Sequence, residues 1–153
     1  MRKHISILLI LAILSSCALI TSCTGRRNDP EIVVELFCDQ NIMDRYMKNI
    51  TGYDHVIYEQ VYADFGGRSI GPTEYRYRGI VYLTPEEASR LERAYNWEES
   101  DDPEVEFGKI DDDFIGDGPW HTSRQFEQDT FKTVSVISCA FDGSKIVFDI
   151  IQS

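Results

Sequence analysis

The sequence predicts an α+β fold, with an antiparallel sheet of about five strands and two helices packed on one face. Segments whose apolar residues recur every three or four positions alternate with short segments rich in Val, Ile and Tyr. Asp142-Gly143 separates the last two short segments, and this dipeptide is typical of tight antiparallel hairpins. No period of about 20 to 50 residues repeats, which excludes solenoids, and residues 30–153 are enough for a single domain.

The first element is expected to be a helix that begins near Pro30. Asn28 and Asp29 are capping residues, and Pro is favoured in a first helical turn. Apolar residues then recur at helical steps until Thr51-Gly52 ends the segment: Ile32, Val33, Leu36, Phe37, Met43, Met47 and Ile50. The β-branched residues 32–34 leave a strand at 31–37 as the alternative.

A β-hairpin with a long loop is expected next. Residues 55–64 and 75–84 are rich in Val, Ile and Tyr, as strands are. The Gly-rich residues 66–72 join them. A phosphate-binding loop requires a strand, a GxxxxGK motif and a helix in that order, and this segment lacks that order. The loop therefore does not predict a phosphate-binding site.

The second helix has the clearest signals in the sequence. Thr84 is a capping residue, Pro85 follows it, and two Glu residues occupy the first turn. One face of the segment carries its apolar residues: Ala88, Leu91, Ala94 and Tyr95. The helix is expected to end near Trp97, before the solvated acidic segment 98–104.

The last third of the sequence predicts strands. Residues 105–110 fit a short strand, and residues 120–128 and 130–141 fit two more. The hairpin signal at 142–143 then leads into a final strand at 145–151. These strands and the first hairpin complete the predicted sheet.

Aromatic residues are the candidates for ligand binding. Alternation along a strand places Tyr75 and Tyr77 on one face, and Trp97 and Trp120 flank the acidic region. Tyr and Trp dominate binding hot spots because they combine a large contact area with a polar tip. The alternative is that these side chains pack in or beside the core.

One acidic loop is a weak candidate for calcium binding. Asp111 and Asp113 occupy the first and third positions of an EF-hand loop and Gly116 the sixth, and Asp117 follows as a further acidic candidate. The match fails at Ile115 and Thr122, where the fifth and twelfth positions require oxygen ligands. The sequence therefore predicts no metal site of this family and no cofactor.

Cysteine and histidine bound the chemistry available to the domain. Cys38 and Cys139 are expected either to form a disulfide or to remain separate buried thiols. Beyond residue 22 the histidines are His55 and His121, and the sequence contains no GxSxG, HExxH or SxxK motif. These observations predict a protein that is not an enzyme.

The N-terminus has the features of an export signal. Basic Arg2 and Lys3 precede the apolar run 5–14. As a helix this run would be about 15 Å long, which is too short to span the hydrocarbon layer of a bilayer, about 30 Å thick. Two segments that end in cysteine follow, Leu14-Ser15-Ser16-Cys17 and Ile20-Thr21-Ser22-Cys23. Both resemble the lipobox of bacterial lipoproteins. An ordinary secretory signal is the alternative.

The resemblance implies a lipid on Cys23, or on Cys17 as the alternative. Cleavage before Cys23 leaves a polar start, so 1–22 is assigned as a lipoprotein signal peptide and 23–29 as a tether. Two or three acyl chains hold a protein stably on a membrane. The domain is then expected on the cell membrane or the outer membrane, facing the periplasm or the exterior.

Charge restricts the partners. The chain has 15 Lys and Arg and 26 Asp and Glu; with Arg2 and Lys3 removed in the signal, residues 23–153 have a net charge of −13. Nucleic acid is disfavoured as a partner, because phosphate binding needs clustered basic residues.

We expect a lipoprotein that binds an envelope protein or a small ligand without catalysis. The alternatives are an envelope hydrolase using His55 or His121 with a carboxylate or Cys, and a protein that neutralises a basic toxin.

Overall fold

The computed structural model describes residues 30–66 and 74–152. The strands are β1 (Glu31–Phe37), β2 (Tyr53–Asp64), β3 (Tyr75–Leu83), β4 (Glu98–Ser100), β5 (Trp120–Thr122), β6 (Ser135–Phe141) and β7 (Lys145–Gln152). The helices are α1 (Asn41–Tyr46), α2 (Pro85–Ala94) and α3 (Arg124–Thr130). All strands form one antiparallel sheet in the order β1-β2-β3-β7-β6-β5-β4. Mixed α and β structure on an antiparallel sheet is confirmed, but the sheet has seven strands rather than five.

The predicted first helix is wrong over its first half. Residues 31–37 are the strand β1, which pairs with β2 from Glu31 opposite Asp64 to Phe37 opposite Tyr58. The β-branched run favours the sheet, where it gains backbone and side-chain partners that an isolated helix lacks. Within the predicted first helix, only α1 is helical in the structure. It buries Ile42, Met43 and Tyr46.

The first hairpin and the second helix are confirmed. β2 and β3 pair antiparallel, and Thr84 Oγ1 accepts a hydrogen bond from Glu87 N at 3.3 Å. Pro85 begins α2, and Leu91 is completely buried. α2 ends at Ala94, three residues before the predicted end at Trp97.

Three predictions in the last third are wrong. Residues 120–128 are not one strand, because Ser123 caps α3 by accepting a hydrogen bond from Phe126 N at 3.4 Å. The acidic segment predicted as loop contains β4, and residues 105–110 are irregular rather than a strand.

The final hairpin is confirmed: Gly143 has a φ of 93°, and Asp142 Oδ1 accepts hydrogen bonds from Ser144 N and Lys145 N.

The sheet is covered on both faces. Residues directly opposite one another share a face, so Tyr58, Gly79, Phe148 and Cys139 form a row on one side. The three helices cover this side, which we call the helix face. The irregular segment 101–119 covers the other side, which we call the loop face, and packs there on residues such as Ile80 and Val147.

The N-terminal assignments lie outside the described residues. They include the signal peptide, the lipobox cysteines Cys17 and Cys23 and the tether. Most of the predicted loop at 66–72 lies outside them as well. Within residues 30–66 and 74–152, no helix has both the length and the apolar character needed to cross a membrane.

Candidate functional site

A cleft among the described residues lies between α1 and the neighbouring part of the sheet. Its volume is about 560 Å³, within the range of small-molecule sites. β1 ends in its wall at Phe37, while β2 and β3 provide the floor. We call it the aromatic cleft, because four of its residues are Phe37, Tyr46, Tyr58 and Tyr77.

The aromatic rings of the cleft pack against each other in a continuous series. Phe37 stacks on Tyr58 with ring centroids 5.3 Å apart, and Tyr58 lies 6.4 Å from Tyr77. Tyr77 is also 5.5 Å from Tyr46 of α1. The three tyrosines are at most 6% exposed, so the rings form a fixed floor rather than mobile surface groups.

The tyrosine hydroxyls are held by partners around the cleft. Tyr58 donates a hydrogen bond to Asp39 Oδ1 at 2.8 Å, and Tyr46 donates to Gln152 Oε1. Burial raises the pKa of Tyr58 and, to a lesser degree, that of Tyr77. These phenols therefore stay neutral at physiological pH and are not nucleophiles or bases there.

Arg45 supplies positive charge at the rim of the cleft. Its side chain is exposed, and its guanidinium carbon lies 5.8 Å from the centroid of the Tyr46 ring. No carboxylate of the described residues is within ion-pair distance of it, whereas Arg76, Arg78 and Arg90 each pair with one. The rim also carries amide groups from Asn41 and Gln60.

The four predicted ligand-binding aromatics do not form one site. Tyr75 and Tyr77 share a face, as predicted, with ring centroids 6.3 Å apart, but only Tyr77 lines the aromatic cleft. Trp97 packs 4.7 Å from Phe141 at a different cleft. Trp120 is 2% exposed in the loop-face core. Trp97 therefore packs against the helix-face core while it lines that second cleft, and Trp120 packs in the loop-face core.

The two histidines lie apart from the aromatic cleft and from each other. His55 is exposed and stacks on Tyr82 at 4.2 Å. His121 lines a cleft of about 530 Å³ that also contains Asp142. The Asp142 carboxylate accepts the turn hydrogen bonds of the β6–β7 hairpin. In the part of the chain that the structure describes, no hydrogen bond joins either histidine to a carboxylate or a thiol.

The disulfide between Cys38 and Cys139, one of the two alternatives that the sequence left open, is not formed. Both are free thiols, Cys38 exposed and Cys139 buried. Cys38 follows the edge strand β1, and four strand spacings separate β1 from β6. This amounts to roughly 19 Å, against a Cα separation below about 7 Å for a disulfide. Burial raises the pKa of the Cys139 thiol, which makes it a poor nucleophile.

The weak calcium candidates are not brought together. Asp111 Oδ1 accepts a hydrogen bond from Asp113 N at 3.1 Å and caps the short 3₁₀ helix Asp112–Phe114. Over residues 30–66 and 74–152, no group of three or more His, Cys, Asp or Glu is arranged to hold a metal ion. Asp117 lies in the exposed part of the same loop.

A buried charge network on the loop face was not predicted. Glu59 and Asp149 are completely buried, and they pair with Arg78 and Arg76, the first at 2.7 Å. Glu59 also accepts hydrogen bonds from three consecutive backbone N–H groups, those of residues 108–110. Charged residues of both signs inside otherwise apolar strands were the available signal.

Arg45 and Tyr46 are two of the cleft residues that the sequence did not indicate as candidates. Both lie in α1, a helix of six residues whose place in the fold depends on the strand before it. An Arg-Tyr pair beside apolar residues was the only signal, and it is weak.

Comparison of the chain with protein-family models, with curated proteins and with solved structures found no match.

Proposed function

We propose that this protein is a lipid-anchored, extracytoplasmic binding protein, and that its aromatic cleft holds a small ligand with an apolar body and a carboxylate. The observation that carries the proposal is a rigid aromatic floor beside Arg45, which has no ion-pair partner among the described residues. Ligand sites are mostly apolar and add a few polar groups that orient the ligand. A guanidinium is suited to bind a carboxylate through two parallel hydrogen bonds.

The electrostatics support one anionic group on the ligand rather than several. The net charge of −13 for residues 23–153 repels anions at a distance. Asp44 also lines the cleft. A multiply charged anion would be repelled by this negative field, and Arg45 is, among the described residues, the one cationic side chain lining the cleft that could offset the repulsion. A monocarboxylate needs only that one contact, and the aromatic floor supplies the remaining affinity.

The lipid anchor is supported by the sequence. Two lipobox-like segments follow an apolar run of the length of a signal peptide, and a polar stretch separates Cys23 from Pro30. Such a tether would hold the domain close to the membrane surface. A ligand-binding domain in this position would meet its ligand in the periplasm or outside the cell.

The alternative function, an envelope hydrolase, has less support. His121 is half-buried in a cleft of suitable size, but the carboxylate beside it serves the hairpin turn. A general base needs a partner that orients it and a substrate within hydrogen-bond reach. We therefore rank the binding function first.

Ligand binding is tested by NMR titration with two small probes, benzoate and benzyl alcohol. Both carry a benzene ring, and only benzoate carries a carboxylate. We expect both to shift the signals of Tyr58 and Tyr77, and benzoate to bind about tenfold more tightly, the effect of one charge-assisted contact. Absence of shifts at the cleft with either probe would contradict the proposal.

The role of charge is tested by Arg45→Gln, with Arg93→Gln as the matched control. Arg93 is an exposed arginine in the last turn of α2. Arg45→Gln should remove the preference for benzoate and leave the affinity for benzyl alcohol unchanged. Arg93→Gln should alter neither. Equal losses in the two variants would assign the effect to the overall charge instead of the cleft.

The anchor is tested by the intact mass of protein extracted from membranes. A mass that begins at Cys23 and includes acyl chains is expected. Cys23→Ser should release the protein from the membrane, and Cys17→Ser should not. Lipid on Cys17 would move the start of the mature chain, and an unlipidated protein would remove the anchor from the proposed function.

A further inference from the structure

The strand β1 is an edge of the sheet. It pairs with β2 on one side, and in the described part of the chain no strand pairs with its other side. With respect to residues 30–66 and 74–152, the backbone N–H and C=O groups along that side are therefore open to another strand. We infer that β1 of one copy pairs antiparallel with β1 of a second copy, so that one sheet runs through a symmetric dimer.

β1 lacks three of the features that usually prevent edge pairing, namely Pro, Lys and a bulge within the strand. Its residues 31–37 contain no Pro and no Lys, and they pair with β2 without a bulge. Two of its apolar side chains are exposed, Ile32 by 64% and Leu36 by 43%. Both lie on the loop face, with Val34 between them. The edge therefore carries a short apolar stripe beside the unpaired backbone.

The sequence of β1 is complementary to itself in one register. If Val34 lies opposite Val34 of the second copy, all seven residues of the strand pair. Ile32 then faces Leu36, which extends the apolar stripe across the dimer on the loop face. On the helix face, Glu35 faces Val33 and Glu31 faces Phe37. Neither glutamate stands directly opposite another glutamate.

Slipping the register by two residues in either direction removes this complementarity. One slip places Glu31 opposite Glu35, and the other places Glu35 opposite Glu35. Like charges directly opposite one another destabilise a strand pair. Each slip also leaves two residues of each strand without a partner. Charge and length therefore select the same register, and the occupant that fits it is a second copy.

The net charge sets the salt dependence of this dimer. Each copy has a net charge of −13 over residues 23–153, so the two copies repel each other in dilute salt. Raising the salt from about 0.01 M to about 1 M shortens the screening length from about 30 Å to about 3 Å. Dimerisation should therefore increase with salt, whereas binding of a basic partner would decrease.

The test is disulfide cross-linking of the full chain in isolated membranes. The parent is Cys38→Ser, which removes the exposed native thiol. We expect Val34→Cys in this background to give about tenfold more covalent dimer than the parent after mild oxidation, because residues opposite one another across a strand pair lie within disulfide range. Ile137→Cys is the control, since residue 137 is an apolar position on β6 that is 49% exposed and so more accessible than the half-buried Val34.

Further cysteines test the register. Ile32→Cys alone should give no more dimer than the parent, because the two thiols would be about 14 Å apart along the strands. Ile32→Cys mixed with Leu36→Cys should cross-link as strongly as Val34→Cys. Dimer from Ile32→Cys equal to that from Val34→Cys would overturn the register.

Two results would overturn the dimer itself. One is a yield from Val34→Cys no greater than that from Ile137→Cys. The other is cross-linking of Val34→Cys to a different protein without any homodimer, which would assign the edge to another partner. Neither result would bear on the aromatic cleft, because that proposal is tested by benzoate binding to Arg45 variants.

Discussion

The two faces of the sheet are covered by different means. On the helix face, apolar side chains such as Leu91 and Phe126 pack against strand residues, and both are completely buried. On the loop face, an irregular segment is fastened by hydrogen bonds to the buried carboxylate of Glu59. Both arrangements exclude water from the sheet. They differ in how much of the cover depends on a single side chain.

The difference teaches how an irregular segment can serve as a structural layer. A helix satisfies its own backbone groups and needs only an apolar face. A loop has backbone groups left over, and burying them without partners is costly. Glu59 accepts the N–H groups of Gly108, Lys109 and Ile110, and Arg78 offsets its charge at 2.7 Å. The loop face therefore depends on polar groups where the helix face depends on packing.

The largest expected effect is that of Glu59→Gln. This change leaves the half-buried Arg78 without its ion partner and weakens the anchor of residues 108–110. Removing one member of a buried pair costs about 3–5 kcal/mol. The free energy of unfolding, measured by urea denaturation, should fall by that amount. Hydrogen exchange at Gly108 and Ile110 should become faster.

Glu35→Gln is the matched control for that variant. Glu35 is exposed on β1, and it forms no ion pair with another described residue. The change should alter the free energy of unfolding by less than about 0.5 kcal/mol. If the two glutamine variants were equally stable, Glu59 would not anchor the loop face.

The next largest effect is expected for Leu91→Ala on the helix face. Leu91 is completely buried, and deleting a buried leucine side chain costs about 2–5 kcal/mol through lost contacts and the cavity that remains. The whole domain should lose stability, as seen in urea denaturation. In native-state hydrogen exchange, local opening of residues 108–110 should not change. Selective opening of the loop in this variant would mean that the two faces are coupled.

A smaller effect is expected from pH. Burial alone would raise the pKa of Glu59, but three backbone N–H groups and Arg78 outweigh it and hold the pKa below 4.5. Because the folded-state pKa is the lower one, the contribution of Glu59 is complete above that value and is lost as the pH falls below it. The stability difference between wild type and Glu59→Gln should therefore shrink between pH 7 and pH 3. Urea midpoints across this range give the measurement, and a constant difference would contradict it.

The smallest effect is expected for Ser123→Ala. Ser123 Oγ accepts the hydrogen bond from Phe126 N that caps α3, and loss of such a cap costs about 1 kcal/mol. A decrease of that size in the free energy of unfolding is expected. Ser123→Thr provides the comparison, because Thr can also cap with a neutral hydroxyl at this buried position and should retain most of the stability. Equal losses in the two variants would exclude the cap as the cause.

The elements with local signals were predictable from the sequence. Thr84 and Pro85 determine the start of α2 by their own chemistry, and Asp142 with Gly143 determines the final turn. Each signal depends on neighbours within a few residues. Tyr75 and Tyr77 on β3 were also correctly placed on the same face, because alternation is a local property of a strand.

The elements that depend on distant partners were not predictable. Residues 31–37 have helical spacing as well as β-branched residues, so the sequence alone could not decide between a helix and a strand; they form a strand because they pair with β2. The aromatic cleft needs α1 above β2 and β3, so the position of Arg45 follows from the tertiary structure. The anchor of the loop face likewise joins residues 49 to 51 positions apart.

That separation has a consequence for the order of folding. Glu59 lies in the middle of β2, so residues 108–110 have no anchor until the central strands have assembled. Contacts between distant residues form late, because closing a long loop costs entropy before the contact repays it. The loop face should therefore be the last part of the domain to close. Until then the chain would expose Ile80 and Val147, and this exposed stage is when the chain would most need protection from aggregation.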